Sequence, residues 1–268
     1  MGFSGFKGGE YAKLFHGGAS AKRASAVVEL VNDLFPQINS IETLQHYLSK
    51  ALNGEIVSKR DFLPTGAITY AEEKAREEMV IFEYDGYVSP AMRHGKETEH
   101  LAIAAFSAVT GLAVSKCKVS PEIDNQEFIL AADGVSGCTP DGLIDYENQP
   151  HEISVLAKQL SVNSKLSGVE SKCPDSATHL EYFKIVDAAS LKATEPAYYW
   201  QVQDSMRITG ATHWYFVSFD NRFVGDYEHL QLHWCVISRN NDDISFYEKR
   251  LKMAVEHKNA YLARFKKS

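Results

Sequence analysis

The stretch Gly168-Val169-Glu170-Ser171-Lys172-Cys173-Pro174 constrains this chain more than any other. It reads as a strand in which an acid and a lysine lie two positions apart. Alternate side chains of a strand share one face, so Glu170 and Lys172 are expected to point into one cleft, with Val169 and Ser171 pointing away. A carboxylate beside an ammonium suits metal-assisted hydrolysis: the acid holds Mg²⁺, and the lysine orients a water or steadies charge on a phosphate. Taken alone, the same triplet is also what a solvated strand edge looks like.

Upstream, Thr139-Pro140-Asp141-Gly142-Leu143-Ile144 puts an acid in a Pro/Gly turn at the mouth of an apolar strand. Read in isolation, Asp141 is a turn residue. Downstream, Tyr198-Tyr199-Trp200-Gln201-Val202-Gln203-Asp204-Ser205-Met206-Arg207-Ile208-Thr209-Gly210 runs into Trp214-Tyr215-Phe216-Val217-Ser218-Phe219-Asp220-Asn221-Arg222. A Pro-Asp pair followed by Glu-x-Lys is the signature of the PD-(D/E)XK nuclease superfamily. With the downstream segments, the chain resembles the lambda exonuclease branch, the phage-type recombination exonucleases (YqaJ-type viral recombinases), over roughly residues 65 to 268.

That resemblance implies an α/β fold with a restriction-endonuclease-like core, a mixed central sheet flanked by helices. It implies Mg²⁺, with Mn²⁺ as a substitute and two ions per site. Asp141 is expected to bridge or share the ions and Glu170 to hold the one that binds the attacking water. The Ser171 backbone carbonyl is expected as a further ligand, and Lys172 as the group that positions the water or steadies the phosphate. The family opens a helix with Gly and, four residues on, Glu; Gly95 and Glu99 match that spacing. Glu97 is the rival acid, and at ~100° per residue the two lie about 200° apart, so only one can face the cleft. Leu101, Ala102, Ala105 and Phe106 suggest the buried side and favour Glu99, whose other reading is a helix-surface acid. Gln201 matches the family's glutamine beside the lysine, or else is a buried amide bonding the sheet. Gln203 falls on another helical face and is expected to be structural.

The family digests one strand of linear duplex DNA from its 5′ end and leaves 3′ overhangs. It works as a homotrimeric ring around DNA, with a single-strand annealing protein as partner. Its terminal 5′-phosphate pocket comes from the N-terminal region. Here Gly17-Gly18-Ala19-Ser20-Ala21-Lys22-Arg23 offers donors at a helix start, which makes Ser20 and Arg23 candidates beside the plainer reading of a solvated helix start. A restriction or junction-resolving endonuclease would share Asp141, Glu170 and Lys172 but lack the Gln201 helix pattern. A non-catalytic DNA-end-binding protein would not need the intact set.

Composition agrees with a nuclease without requiring one. Hydrophobic residues make up 44% of the 268, ordinary for a globular chain, and no apolar run approaches a membrane span. The start of the chain lacks the charge and apolar core of a secretory signal, so a cytoplasmic protein is expected, and the resemblance implies a phage or prophage-type protein in a bacterial host. A net charge of −7 argues against a surface coated in phosphate-binding groups, but a carboxylate-rich site neutralised by metal is itself acidic. Basic residues gather at Lys249, Arg250, Lys252, Lys258, Arg264, Lys266 and Lys267. Cys117, Cys138, Cys173 and Cys235 form no CxxC pair and read as buried free thiols.

Periodicity predicts helices over 19–34, 41–52, 70–82 (capped by Thr69), 92–111, 197–208 (closed by Gly210) and 242–265, with a helical excursion over 176–191. Strands are expected at 128–132 paired with 137–145, and at 170–173, 214–219 and 230–237. The charges of 72–78 read as a solvated face, residues 146–167 as a surface elaboration with His151 and Glu152 exposed, and Phe246, Leu251, Val255 and Leu262 as the apolar side of the last helix. The whole chain reads as a single domain, with residues 1–60 as an N-terminal arm and helices.

Overall fold

Pro140 has no N–H and a fixed φ, so a strand running through it cannot keep one ladder of hydrogen bonds. In the computed structural model of this protein, which describes residues 6–7, 63–80, 89–115, 128–150 and 153–266, the chain changes sheets at that residue. The expected continuous strand 137–145 is therefore two. In chain order the elements are β1 (Phe6–Lys7), α1 (Thr65–Met79), α2 (Pro90–Thr110), β2 (Ile129–Leu130), β3 (Ser136–Cys138) and β4 (Gly142–Asp145). There follow α3 (Val155–Ser161), β5 (Leu166–Lys172), α4 (Ser176–Tyr182), α5 (Ala188–Thr194), α6 (Pro196–Thr209), β6 (His213–Phe219), β7 (Leu232–Ser238) and α7 (Asn241–Ala263). The helices expected over 19–34 and 41–52, with Ser20, Arg23, Cys117, His151 and Glu152, lie outside the described residues.

The chain packs as two compact units. One contains α1 and α7 from Ser245 onward; the other contains β1 and everything described from 89 to 244. The second unit holds a mixed four-stranded sheet in the order β4-β5-β6-β7, in which β5 and β6 are parallel and both outer pairs antiparallel. A parallel pair needs a crossover, and α4, α5 and α6 supply it. Val169 faces Tyr215 across that pair, and Glu170 faces Phe216. A small sheet, β1-β3-β2, stands apart. The free edge of β4 is capped by Ser115, whose N–H and carbonyl both bond Leu143, at 2.9 and 2.7 Å.

One face of the large sheet is apolar. Phe106 of α2 lies on Tyr215 and Trp234, with ring centroids 5.1 and 5.6 Å apart, in a cluster that includes Ile144, Val169 and Val217. The segment 146–167 is not merely a surface elaboration. Ala157 is fully buried, and Tyr146, Ile153 and Leu160 pack on the same cluster. On the opposite face Phe216 meets Tyr182 and Tyr198, at 5.7 and 6.3 Å.

Local signals set the ends of the helices. Gly111 and Gly210, at φ 72° and 74°, stop α2 and α6 in the left-handed region that Gly alone enters cheaply. The excursion after β5 is two helices, capped by the Asp175 carboxylate and by an Asp187–Ser190 capping box.

In the other unit, α1 begins at Thr65, five residues before the expected start. Its N-cap is Pro64, which carries no capping side chain to signal the position. Its charged run is not wholly solvated: Lys74 is buried and bonds Glu77 at 2.8 Å. Along α7 the buried stripe is Ile244, Tyr247, Arg250, Leu251 and Ala254, while Phe246, Val255 and Leu262 stand half-exposed beside it. Two groups of the basic C-terminal stretch are thus taken up in structure. Arg250 is buried, and Lys258 pairs with Glu78 at 2.8 Å. Among the described residues no helix is long and apolar enough to cross a membrane.

Candidate active site

Strand β5 carries the acid and the base together. Glu170 is buried, with 1% of its side chain exposed, and Lys172, 22% exposed, hydrogen-bonds to it through Nζ to Oε1. Lys172 thus reaches from the sheet's interior to the site's open end. Their alternation on one strand is as expected.

Asp141 stands in the turn before β4, held from β5. Its Oδ2 accepts from the Ser171 N–H at 2.7 Å and from Ser171 Oγ at 3.1 Å. Ser171 therefore does not simply point away: its backbone and hydroxyl fix the Asp141 carboxylate against the strand that bears Glu170 and Lys172. Gly142 pairs with Val169, so the register continued by two residues sets Pro140 opposite Ser171. Pro140 has no N–H to offer the Ser171 carbonyl, and the ladder ends there.

The charges report which groups gather here. Glu170 is raised to about 7: burial is the largest cause, the Asp141 and Glu99 carboxylates add to it, and Lys172 opposes it. Burial works against the Lys172 ammonium too, but Glu170 and Asp141 outweigh it and hold the group above the ordinary lysine range. Burial raises the Cys173 thiol to about 12, with Glu99 and Asp141 adding to it. Glu99 is thus within electrostatic reach of Glu170 and Cys173, half-buried on α2, while Glu97 is exposed. Cys173 is half-buried rather than buried, and Cys138 and Cys235 are buried free thiols.

Among the described residues no three His, Cys, Asp or Glu side chains form a ready-made metal cage. The donor set nevertheless fits a hard divalent cation. Of the four groups Glu99, Asp141, Glu170 and Lys172, three are acids and one is a base, and the central acid is buried. Carboxylate oxygens so placed favour a cation that offsets their repulsion.

Helix α6 lies on this face of the sheet. Tyr198, in its first turn, sits over Lys172 with Nζ 4.4 Å from the ring centroid. Gln201 follows three residues on, hence on the same helical face, and is half-buried. Gln203 is buried and structural, as its spacing predicts: its Nε2 donates to the Ser238 carbonyl at 2.9 Å, and its Oε1 accepts from the Asn240 N–H at 2.8 Å. Tyr198 lies within the segment that carries the family resemblance, yet reading the sequence gave it no role. Its i, i+3 relation to Gln201 is the signal that marks it.

A second group without an assigned role fixes the strand ends. Burial works against charge on Asp220, yet bonds from Arg222 and Ser176 hold its carboxyl at about 2. Arg222 Nε donates to it at 2.6 Å, and Nη2 donates to the Pro174 carbonyl at 2.8 Å. The exit of β5, two residues past Lys172, is thereby tied to the exit of β6.

No curated protein sequence matches this chain. Solved structures that share its fold include the following three. An alkaline exonuclease from Laribacter hongkongensis (LHK-Exo) in complex with dAMP is 18% identical, covering 98% of this chain and 91% of that one, with a TM-score of 0.60. A second structure of the same alkaline exonuclease gives 18% identity, the same coverage and a TM-score of 0.57. A phage-related exonuclease from Haemophilus somnus 129PT is 12% identical, covering 98% and 96%, with a TM-score of 0.58. The model of the YqaJ-like viral recombinase domain matches residues 63–212, which span α1, Glu99, Asp141, the Glu170–Lys172 pair and α6. By that match over more than half its length, the chain belongs to the YqaJ-like viral recombinase domain family.

Proposed function

We propose that this protein is a Mg²⁺-dependent exonuclease that digests one strand of linear duplex DNA from 5′ to 3′ and leaves 3′ single-stranded overhangs. The observation that carries the hydrolytic part of the reading is the pair of buried Glu170 and half-buried Lys172, with Asp141 fixed beside it by Ser171 and Glu99 in electrostatic reach; polarity and overhang follow from the family resemblance. The relatives' character as exonucleases supports it.

Hydrolysis adds water across a P–O3′ bond, leaving a phosphate on one fragment and a 3′-hydroxyl on the other. Glu99, Asp141, Glu170 and the Ser171 carbonyl are the groups that would hold one or two Mg²⁺ ions, with Mn²⁺ a natural replacement. Bound there, the ions supply a more acidic water and positive charge for the transition state. The chain's own part is positional. Ser171 fixes the Asp141 carboxylate. Glu170 orients the Lys172 ammonium, whose remaining protons face a phosphate oxygen or the incoming water and stabilise the charge that builds there. Gln201, on the same face of α6 as Tyr198, extends this donor set. A 5′-phosphate pocket at Ser20 and Arg23, a homotrimeric ring, a single-strand annealing partner and action in the cytoplasm of a phage-bearing bacterial host complete the reading.

Linear duplex labelled separately at each end tests it. Label at 5′ ends is expected to be released first, with 5′-phosphorylated ends preferred over 5′-hydroxyl ends, intact circles resistant, and all release stopped by EDTA and restored by Mg²⁺. Digestion in excess EDTA would remove the metal. Cleavage of closed circles would convert the reading to an endonuclease on the same core.

A further inference from the structure

We propose that the Tyr198 ring is a positioning residue that holds the Lys172 ammonium in place for the reaction by a cation–π contact, an inference that rests on the nuclease reading for its kinetic part only. Lys172 is a four-carbon stem ending in a point charge, and a lysine fixed by one partner keeps much of its rotamer freedom. Glu170 is that one partner within the strand. The same carboxylate is a candidate cation ligand, so a hold on the ammonium that does not depend on Glu170 is needed once the acid is shared. The ring provides it: Nζ lies over its face at 4.4 Å, inside the ~6 Å range of the interaction.

The ring is itself locked. Tyr198 stacks on Phe216 at 6.3 Å with planes 29° apart, and Phe216 is the cross-strand partner of Glu170. Tyr182 meets both rings edge-on, at 6.5 and 5.7 Å. Its hydroxyl donates to Glu195, at the start of α6, at 3.1 Å. The aromatic wall thus joins the sheet to the helix, and Lys172 is placed against it rather than left in solvent. The Tyr198 hydroxyl hydrogen-bonds with Tyr182 and so helps hold the wall, while the contact with Lys172 is made by the face of the ring.

Two measurements test the inference. In the metal-free protein the Lys172 side-chain resonance, identified by its loss in Lys172→Arg, is expected to be displaced by the ring current of residue 198. Tyr198→Phe keeps the displacement and Tyr198→Leu abolishes it. An unchanged resonance in Tyr198→Leu overturns the proposal. In turnover, Tyr198→Phe is expected within about twofold of wild type, and Tyr198→Leu to lose ~5- to 20-fold in kcat with KM for duplex altered less than twofold.

Phenylalanine carrying one, two or three fluorines at position 198 keeps the shape and drains the ring's charge, so it reads the interaction without risk to the fold. A stepwise fall in kcat along that series is expected, and a flat series overturns the proposal. Should the wild type digest no DNA, the nuclease reading fails, and the resonance measurement alone decides whether Tyr198 holds Lys172.

Discussion

At the scale of single residues, the site separates groups that act on charge from groups that hold them. Lys172→Ala removes an ammonium set between Glu170 and the Tyr198 ring. It is expected to lower kcat by about 10²- to 10³-fold, the size of one electrostatic donor at a transition state, with duplex affinity in a gel-shift assay nearly unchanged. Near-normal turnover would make Lys172 a bystander. The two glutamines of α6 divide in the same way. Gln203→Ala strands the Ser238 carbonyl and the Asn240 N–H and is expected to cost ~1–3 kcal/mol in urea unfolding, with kcat per folded molecule intact. Gln201→Ala is expected to do the reverse, a loss in kcat at wild-type stability. Asp141, Glu170 and Lys172 were legible in the sequence because a turn and a strand fix their spacing locally. Tyr198 was not, because its contact with Lys172 depends on where a crossover helix lands on the sheet.

At the scale of elements, β5 and β6 are the frame on which everything else is set, and two small facts show how closely they fit. A Cβ on Gly168 would lie 2.1 Å from Cζ2 of Trp214. Trp214 is fully buried and has no room to retreat. Gly168→Ala is therefore expected to destabilise by ~1–3 kcal/mol or more, read as a lowered Tm, with Glu170 displaced along with its strand.

At the start of β6, His213 is buried and held neutral. A neutral ring accepts at Nε2 from the Tyr146 hydroxyl at 2.7 Å, and Tyr146 accepts from Tyr215 at 2.9 Å. Burial lowers His213 from 6.5 to about 4. Above pH 6.5 the ring is neutral folded or unfolded and contributes no pH dependence. Below it the unfolded chain binds a proton that the folded one refuses, so stability falls by ~1.4 kcal/mol per pH unit until about pH 4. Going from pH 7 to 5 is expected to cost ~2 kcal/mol more in the wild type than in His213→Gln; equal slopes would remove His213 from the acid limb. Element identity was largely legible from periodicity and punctuation. The misplacements have physical causes: Pro140 moved the chain to a second sheet, Pro64 began α1 without a capping side chain, and the stem of Arg250 took a place on the buried stripe of α7 that a charge count assigns to the surface.

At the scale of the whole molecule, the question is how a chain of net charge −7 works on a polyanion. Three acids around one lysine make the site more negative still, and part of the basic C-terminal run is already spent on Glu78 and on burial. A monomer with this balance would meet duplex DNA with mostly repulsive surface. A ring would resolve the conflict if it turned each copy's basic groups toward one channel and left the outer surface negative. Enclosure also keeps the duplex from diffusing away between successive cuts. The resemblance carried by the Gln201 helix and the Trp214 strand implies a ring of three, so a homotrimer is expected, with light scattering giving three times the 29.9 kDa chain mass under conditions of active digestion. Once a strand is engaged, digestion is expected to continue through a challenge with excess unlabelled duplex. If such a ring encloses the duplex, initiation is expected to weaken steeply as salt rises, because loading would depend on unscreened charge. A stable monomer that digests DNA at the full rate would remove the ring. A trimer that releases its substrate after each cut would keep the assembly but deny it the role of clamp.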